Sequence, residues 1–216
     1  MQQKILTRTR RAEVFAGLML IIVAFSYVAS LLLDFKFVSP YATLQEDLAY
    51  LSEHIRSQKI SSCAWLATAV FTGIALPFYF AVFRKRLRVL HYINGLLMLG
   101  ATTAFVMMAL TGLGLPRELA GDKSTLSLLE QFSQEQLFRY IGSSCVGLWA
   151  FGLGLTKIRL ARFPLISSVL LIISGPALVF FDWYDPDHPG HTGAMACIII
   201  GVMIFCVRLI NRGMSA

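Results

Sequence analysis

The sequence predicts an all-α protein, a polytopic membrane bundle of six transmembrane helices, and three observations lead there. Hydrophobic residues fill 56% of the 216 positions and charged ones only 14%, whereas a soluble domain is about half apolar and about a quarter charged. Six charge-free runs lie at roughly 14–33, 60–83, 92–115, 140–156, 163–181 and 192–207, each close to the roughly 20 residues that cross a hydrocarbon core about 30 Å thick. The basic residues between these runs alternate in density from loop to loop. The runs are continuous rather than alternating in polarity, which excludes a β-barrel. No linker or low-complexity segment interrupts the chain, so residues 1–216 read as a single domain.

The first run follows Lys4, Arg8, Arg10 and Arg11. Its apolar stretch continues through Leu31, Leu32 and Leu33, longer than the core of a signal peptide, and an uncleaved first helix is expected. Between the first two runs, Leu44, Leu48, Leu51 and Ile55 recur at helical spacing. Pro40 suits a first helical turn, and Thr43 and Glu46 have capping-box spacing. A short amphipathic helix is expected there, lying on the extracytoplasmic surface. The second run ends at Arg84, Lys85, Arg86 and Arg88, and it contains Pro77, as the fifth contains Pro176; both should kink their helices. Before the fourth run, Leu128, Leu129 and Phe132 share a face, and Ser127 and Glu130 repeat the capping pattern, so a second short surface helix is expected over 127–135. The fourth run pairs small residues, Ser143 with Gly147 and Ala150 with Gly154, as close helix contacts require. Lys157, Arg159 and Arg162 follow it, and Arg208 and Arg212 follow the last run.

Thirteen of the 19 basic residues thus fall on one side, with Glu13 as their only acidic companion. The positive-inside rule places both termini and the two short basic loops in the cytoplasm. A cell inner, or plasma, membrane is the expected location. The net charge of +7 therefore reports orientation and contact with anionic membrane lipids, not a nucleic-acid partner.

The stretch LFRYIGSSCVGLWAFGLGLTKIRLARFPLISSVLLIISGPALVFFD (137–182) resembles a segment of an uncharacterised six-helix bacterial integral-membrane protein family, a domain of unknown function. Gly142, Gly152-Leu153-Gly154, Arg162-Phe163-Pro164, Gly175 and Asp182 carry the resemblance. The first span, the long outer loop and the basic second loop follow a similar layout. The resemblance implies the six-helix fold and no chemistry.

The densest polar stretch is FFDWYDPDHPGH at 180–191. Asp182, Asp185, Asp187, His188 and His191 form a candidate metal site, possible partners being Glu53 and His54 on the first outer loop. Imidazole with carboxylate suits zinc, manganese or iron. The favoured reading is an exposed reverse turn, because Asp-Pro and Pro-Gly are turn formers. On that reading, replacing His188 and His191 by Ala leaves stability unchanged. Glu53 and His54 read as a solvated helix face, and His91 as an interfacial residue near lipid headgroups.

No His lies mid-span for a haem pair, no ionisable residue is expected near the bilayer centre, and no GxSxG, HExxH or Walker pattern occurs. Hence no cofactor is expected. Cys63 and Cys145 fall at similar depth, and a bridge between them is conceivable; free cysteines acting as small hydrophobes are expected. The sequence favours a small integral membrane protein that binds a partner protein, lipid or apolar ligand, without complete catalytic machinery. The alternatives are an outward-facing metal-dependent hydrolase of a lipid or envelope substrate, and a neutral-solute transporter.

Overall fold

A computed structural model describes residues 2–33, 53–83, 88–119, 125–160, 165–184 and 189–214. These form six helices and, among the described residues, no strand: α1 (Gln2–Leu32), α2 (Ile55–Phe83), α3 (Arg88–Leu119), α4 (Thr125–Leu160), α5 (Leu165–Tyr184) and α6 (Pro189–Met214). Five of them are long and apolar enough to cross a membrane: Arg11–Leu32, Ile55–Phe80, Val89–Gly114, Leu165–Tyr184 and Pro189–Asn211. The run at 140–156 lies within α4, which is not among the five. It is one of the two shortest runs, and α4 carries Gln131, Glu135 and Arg139 ahead of it. The helix expected over 127–135 is the first part of α4, continuous with the span instead of a separate surface element. Most of the helix expected before Ile55 lies outside the described residues.

Each helix packs antiparallel against its sequence neighbours, and α6 returns to pack against α1, which closes a ring. The registers show this directly. Phe15 stacks on Phe78 at 6.0 Å, while Ser26 and Ser30, about three and four turns along α1, share Thr68 of α2 at 2.7 and 2.8 Å. Along α3 and α4, Asn94 lies against Gly152, Phe105 against Gly142 and Glu135 against Gly112. So α4 runs through the same depth as α3, which is one of the five apolar spans. Between α4 and α5, a Cβ at position 147 would stand 2.6 Å from the Gly175 carbonyl oxygen. Only glycine allows two helices to approach that closely. Gly17 admits Ile210 of α6 in the same way. Both chain ends therefore lie at one end of the ring, with Asp182 and His191 at the other.

Burial is inverted relative to a soluble protein. Ser30, Asn94 and Ser167 are fully buried, while Phe25, Leu96, Ile166 and Ile173 on the outward faces are exposed. Lipid is as apolar as leucine, so it does not drive leucine inward; close packing and hydrogen bonds between helices hold such a bundle together. Pro77 and Pro176 sit within α2 and α5 with their rings on the outward face. All four cysteines are free thiols, Cys63 exposed and Cys145 half-buried.

Candidate functional site

Three features inside the ring bear on function: polar pairs at the end away from the termini, a cavity on the axis, and a polar cluster on the terminal side of that cavity.

At the far end, α5 and α6 bring Asp182 and His191 together. The imidazole Nε2 lies 2.7 Å from Asp182 Oδ1, and Asp182 is 5% exposed. Arg139 of α4 adds an electrostatic attraction to the same carboxylate. Beside it, Trp183 Nε1 donates to Ser144 Oγ at 2.7 Å, and the Tyr140 and Trp183 rings meet at 5.6 Å. His191 is therefore the partner of a buried carboxylate, not part of a wholly exposed turn, and its replacement should not be silent. Asp185, Asp187 and His188 lie outside the described residues. Glu53 and His54, just before α2, are exposed and half-buried, respectively. Among the described residues, no three of His, Cys, Asp and Glu converge as metal ligands would.

Across the ring, Gln58 Nε2 donates to both carboxylate oxygens of Glu135, at 2.9 and 3.1 Å. Both residues are buried. Gly112 makes the space: a Cβ there would collide with Ser62 Oγ and stand 2.9 Å from Glu135 Oε1. Sequence reasoning placed Glu135 on a surface helix and missed this pair. The spacing of Gln131, Glu135 and Arg139 at four-residue steps on α4 was the available signal.

On the axis lies a cavity of about 70 Å³ lined by five helices, with Tyr27, Thr72, Met98, Phe105, Trp149 and Val202 among its walls. The wall is apolar although two threonines contribute to it, because their hydroxyls are used elsewhere. Thr72 donates to the Thr68 carbonyl at 2.7 Å, and Thr68 Oγ1 bonds Ser26 and Ser30. Toward the far end the cavity meets an aromatic trio. Tyr27 stands edge-on to Trp65 at 5.5 Å, and Trp65 packs on Phe105 at 4.9 Å. This cluster separates the cavity from the Gln58–Glu135 layer.

One to two turns toward the termini, Tyr79, His91 and Asn94 are buried. His91 was expected at the headgroup level; instead its ring stacks on Tyr79 at 5.2 Å and meets Phe80 edge-on at 5.0 Å. The inward face of α3 explains it. His91, Asn94, Met98, Ala101, Phe105 and Met108 recur at three- and four-residue steps, and all are buried. The Tyr79 hydroxyl faces the Asn94 amide and the Trp149 indole nitrogen. No hydrogen bond is completed at Asn94 Nδ2, Asn94 Oδ1 or Trp149 Nε1. Gly152 seats the Asn94 side chain, which a Cβ at that position would displace.

No protein-family model, curated protein or solved structure matches the chain. The functional reading therefore rests on this geometry.

Proposed function

We propose that the protein is a membrane-embedded binding protein that holds a small apolar molecule, or the end of a lipid hydrocarbon chain, in its axial cavity. The observation that carries this reading is an apolar-walled cavity formed among five helices at the middle of a closed ring. Voids larger than water are few in packed interiors, and apolar ones stay dry and accept apolar guests. At about 70 Å³ this void is about half the roughly 150 Å³ cavity that takes benzene. It suits a guest of a few heavy atoms. The distribution of Lys and Arg supports a bacterial inner-membrane protein with both termini cytoplasmic, so the Asp182–His191 end faces outward.

The transporter alternative gains little from an apolar cavity that an aromatic trio closes on one side. The hydrolase alternative retains one supporting observation, the Asp182–His191 pair, in which a buried carboxylate orients an imidazole as acid–base catalysts require.

The test is mass spectrometry of small molecules that co-purify in mild detergent. Wild-type protein should carry a stoichiometric apolar compound or hydrocarbon chain. Ala101→Leu, which directs a larger side chain into the cavity, should lose it while retaining its melting temperature. Equal recovery from both proteins would place the ligand elsewhere. Recovery of nothing from either would remove the proposal.

A further inference from the structure

The axial cavity lies at the depth of the bilayer centre. Its wall residues Thr68, Ala101 and Ile199 fall beside the midpoints of the spans Ile55–Phe80, Val89–Gly114 and Pro189–Asn211. In a hydrocarbon core about 30 Å thick, that is the level where the lipid chains of the two leaflets end. The way in from either water-facing end is obstructed. Outward of the cavity stands the trio of Tyr27, Trp65 and Phe105, and on the terminal side stand the buried Tyr79, His91 and Asn94. An apolar guest therefore enters from the side, and the seams between helices decide where.

Four of the five seams around the cavity are tight. Ser26 and Ser30 tie α1 to α2 through Thr68. Gly73 of α2 sits against Thr102 of α3, and Gly142 of α4 admits Phe105 of α3. The seam between α4 and α6 is backed by α5, whose Leu171 packs on Gly201 and whose Gly175 closes on Gly147. Accordingly Thr68, Thr72, Met98, Ala101, Phe105 and Trp149 are all buried. Val146 is half-buried, but it packs against both core clusters. The seam between α1 and α6 differs. Across it the Tyr27 hydroxyl donates to Met195 Sδ at 3.9 Å, and nearer the termini Gly17 takes Ile210. One turn in from Tyr27 and one from Met195, the antiparallel register sets Val23 opposite Ile199. Both line the cavity and both are half-buried. Their chain neighbours Ile22 and Ile200 are exposed on the lipid-facing surface, so at this level one layer of side chains stands between cavity and lipid.

Building on the cavity reading, we infer that the cavity opens sideways to the bilayer midplane between α1 and α6, past Val23 and Ile199, and that its guest is the methyl end of a phospholipid acyl chain. The apolar wall suits methylene and methyl groups, and at about 70 Å³ the cavity holds only the last few carbons. The rest of the chain runs out through the seam to a headgroup outside the ring. A tethered chain must keep the seam open, whereas a free molecule occupies the cavity with the seam closed behind it.

That difference supplies the test. Trp149 lines the cavity and is one of 3 tryptophans. Trp65→Phe, which keeps an aromatic ring in the trio, and Trp183→Phe leave it alone in the full-length protein, which is placed in phosphatidylcholine nanodiscs. Bromine quenches tryptophan fluorescence at near contact. Chains brominated at the methyl end should quench Trp149 severalfold more than chains brominated next to the ester. Bromoethane, a free guest, should quench it too. Ala101→Leu, which fills the cavity, should abolish both effects. Val23→Phe and Ile199→Phe each fill the seam, and either one that keeps the wild-type melting temperature should lose quenching by lipid and keep quenching by bromoethane. If neither bromine source quenches Trp149, the cavity reading itself fails. If bromoethane quenches and the methyl-end chains do not, the cavity stands and this inference is overturned. Lipid quenching that survives the seam variants, or survives Ala101→Leu, would put the chain elsewhere and overturn it as well.

Discussion

At the far end of the ring, buried polar side chains meet across helices. Gln58 of α2 reaches Glu135 of α4 through two contacts, and Asp182 of α5 reaches His191 of α6. On the terminal side of the cavity, Asn94 and Trp149 are buried as deeply, yet their polar atoms are left without partners. Both regions use glycine to seat a polar side chain on a neighbouring backbone, Gly112 for Glu135 and Gly152 for Asn94. Burial and glycine spacing therefore do not separate them, and the far end also keeps atoms without a bond, Ser62 Oγ and Asp182 Oδ2; what differs is that its side chains also bond across helices. The paired layer ties helices together at the end where α5 turns into α6. The inner layer keeps its polar groups behind the apolar wall of the cavity, turned toward the Tyr79 hydroxyl.

The largest effect should come from breaking a completed pair. Glu135→Leu leaves the Gln58 amide buried without its acceptor and should cost about 3 kcal/mol in reversible unfolding, since an unsatisfied buried group bears its full desolvation penalty. Adding Gln58→Leu to it should recover most of that loss, because removing both partners is far milder than removing one. A double variant no better than the single one would show that Glu135 acts through other contacts.

An intermediate effect is expected at the other pair. His191→Ala strands the Asp182 carboxylate and should cost about 1–3 kcal/mol. An exposed turn residue would change stability by no more than about 0.5 kcal/mol. A thermal or denaturant midpoint unchanged from wild type would return His191 to the exposed-turn reading.

The smallest effect should come from the unpaired layer. Asn94→Leu, measured without any added guest, should be neutral or raise stability by up to about 1 kcal/mol, because it removes polar atoms that have no partner to lose. A loss larger than that would mean Asn94 is satisfied within the protein, and the contrast between the two layers would disappear.

The fold was legible because lipid imposes a coarse rule. Spanning segments must be long, apolar and helical, and the runs at 14–33, 60–83, 92–115, 163–181 and 192–207 obey it. The fourth run was harder to read, since α4 carries Gln131, Glu135 and Arg139 into the bundle on a face that alternates with apolar residues. That pattern reads equally well as a surface helix. The far-end site was half legible. The cluster at 180–191 stood out, but the pairing of Asp182 with His191 depends on how α5 and α6 align after the turn, which spacing does not fix. The inner cluster escaped notice because its members come from three helices. His91 next to a basic loop looks interfacial until the inward periodicity of α3 is followed through Asn94 and Met98. The cavity was invisible, since it belongs to no residue.

Xenon tests the central claim most directly, because it binds enclosed apolar space without regard to polar chemistry. Crystals of the protein pressurised with xenon should show a single strong anomalous peak on the ring axis, among Tyr27, Thr72, Met98 and Trp149, and the peak should vanish in Ala101→Leu. Xenon only in the lipid-facing grooves, with the axis empty, would contradict the account.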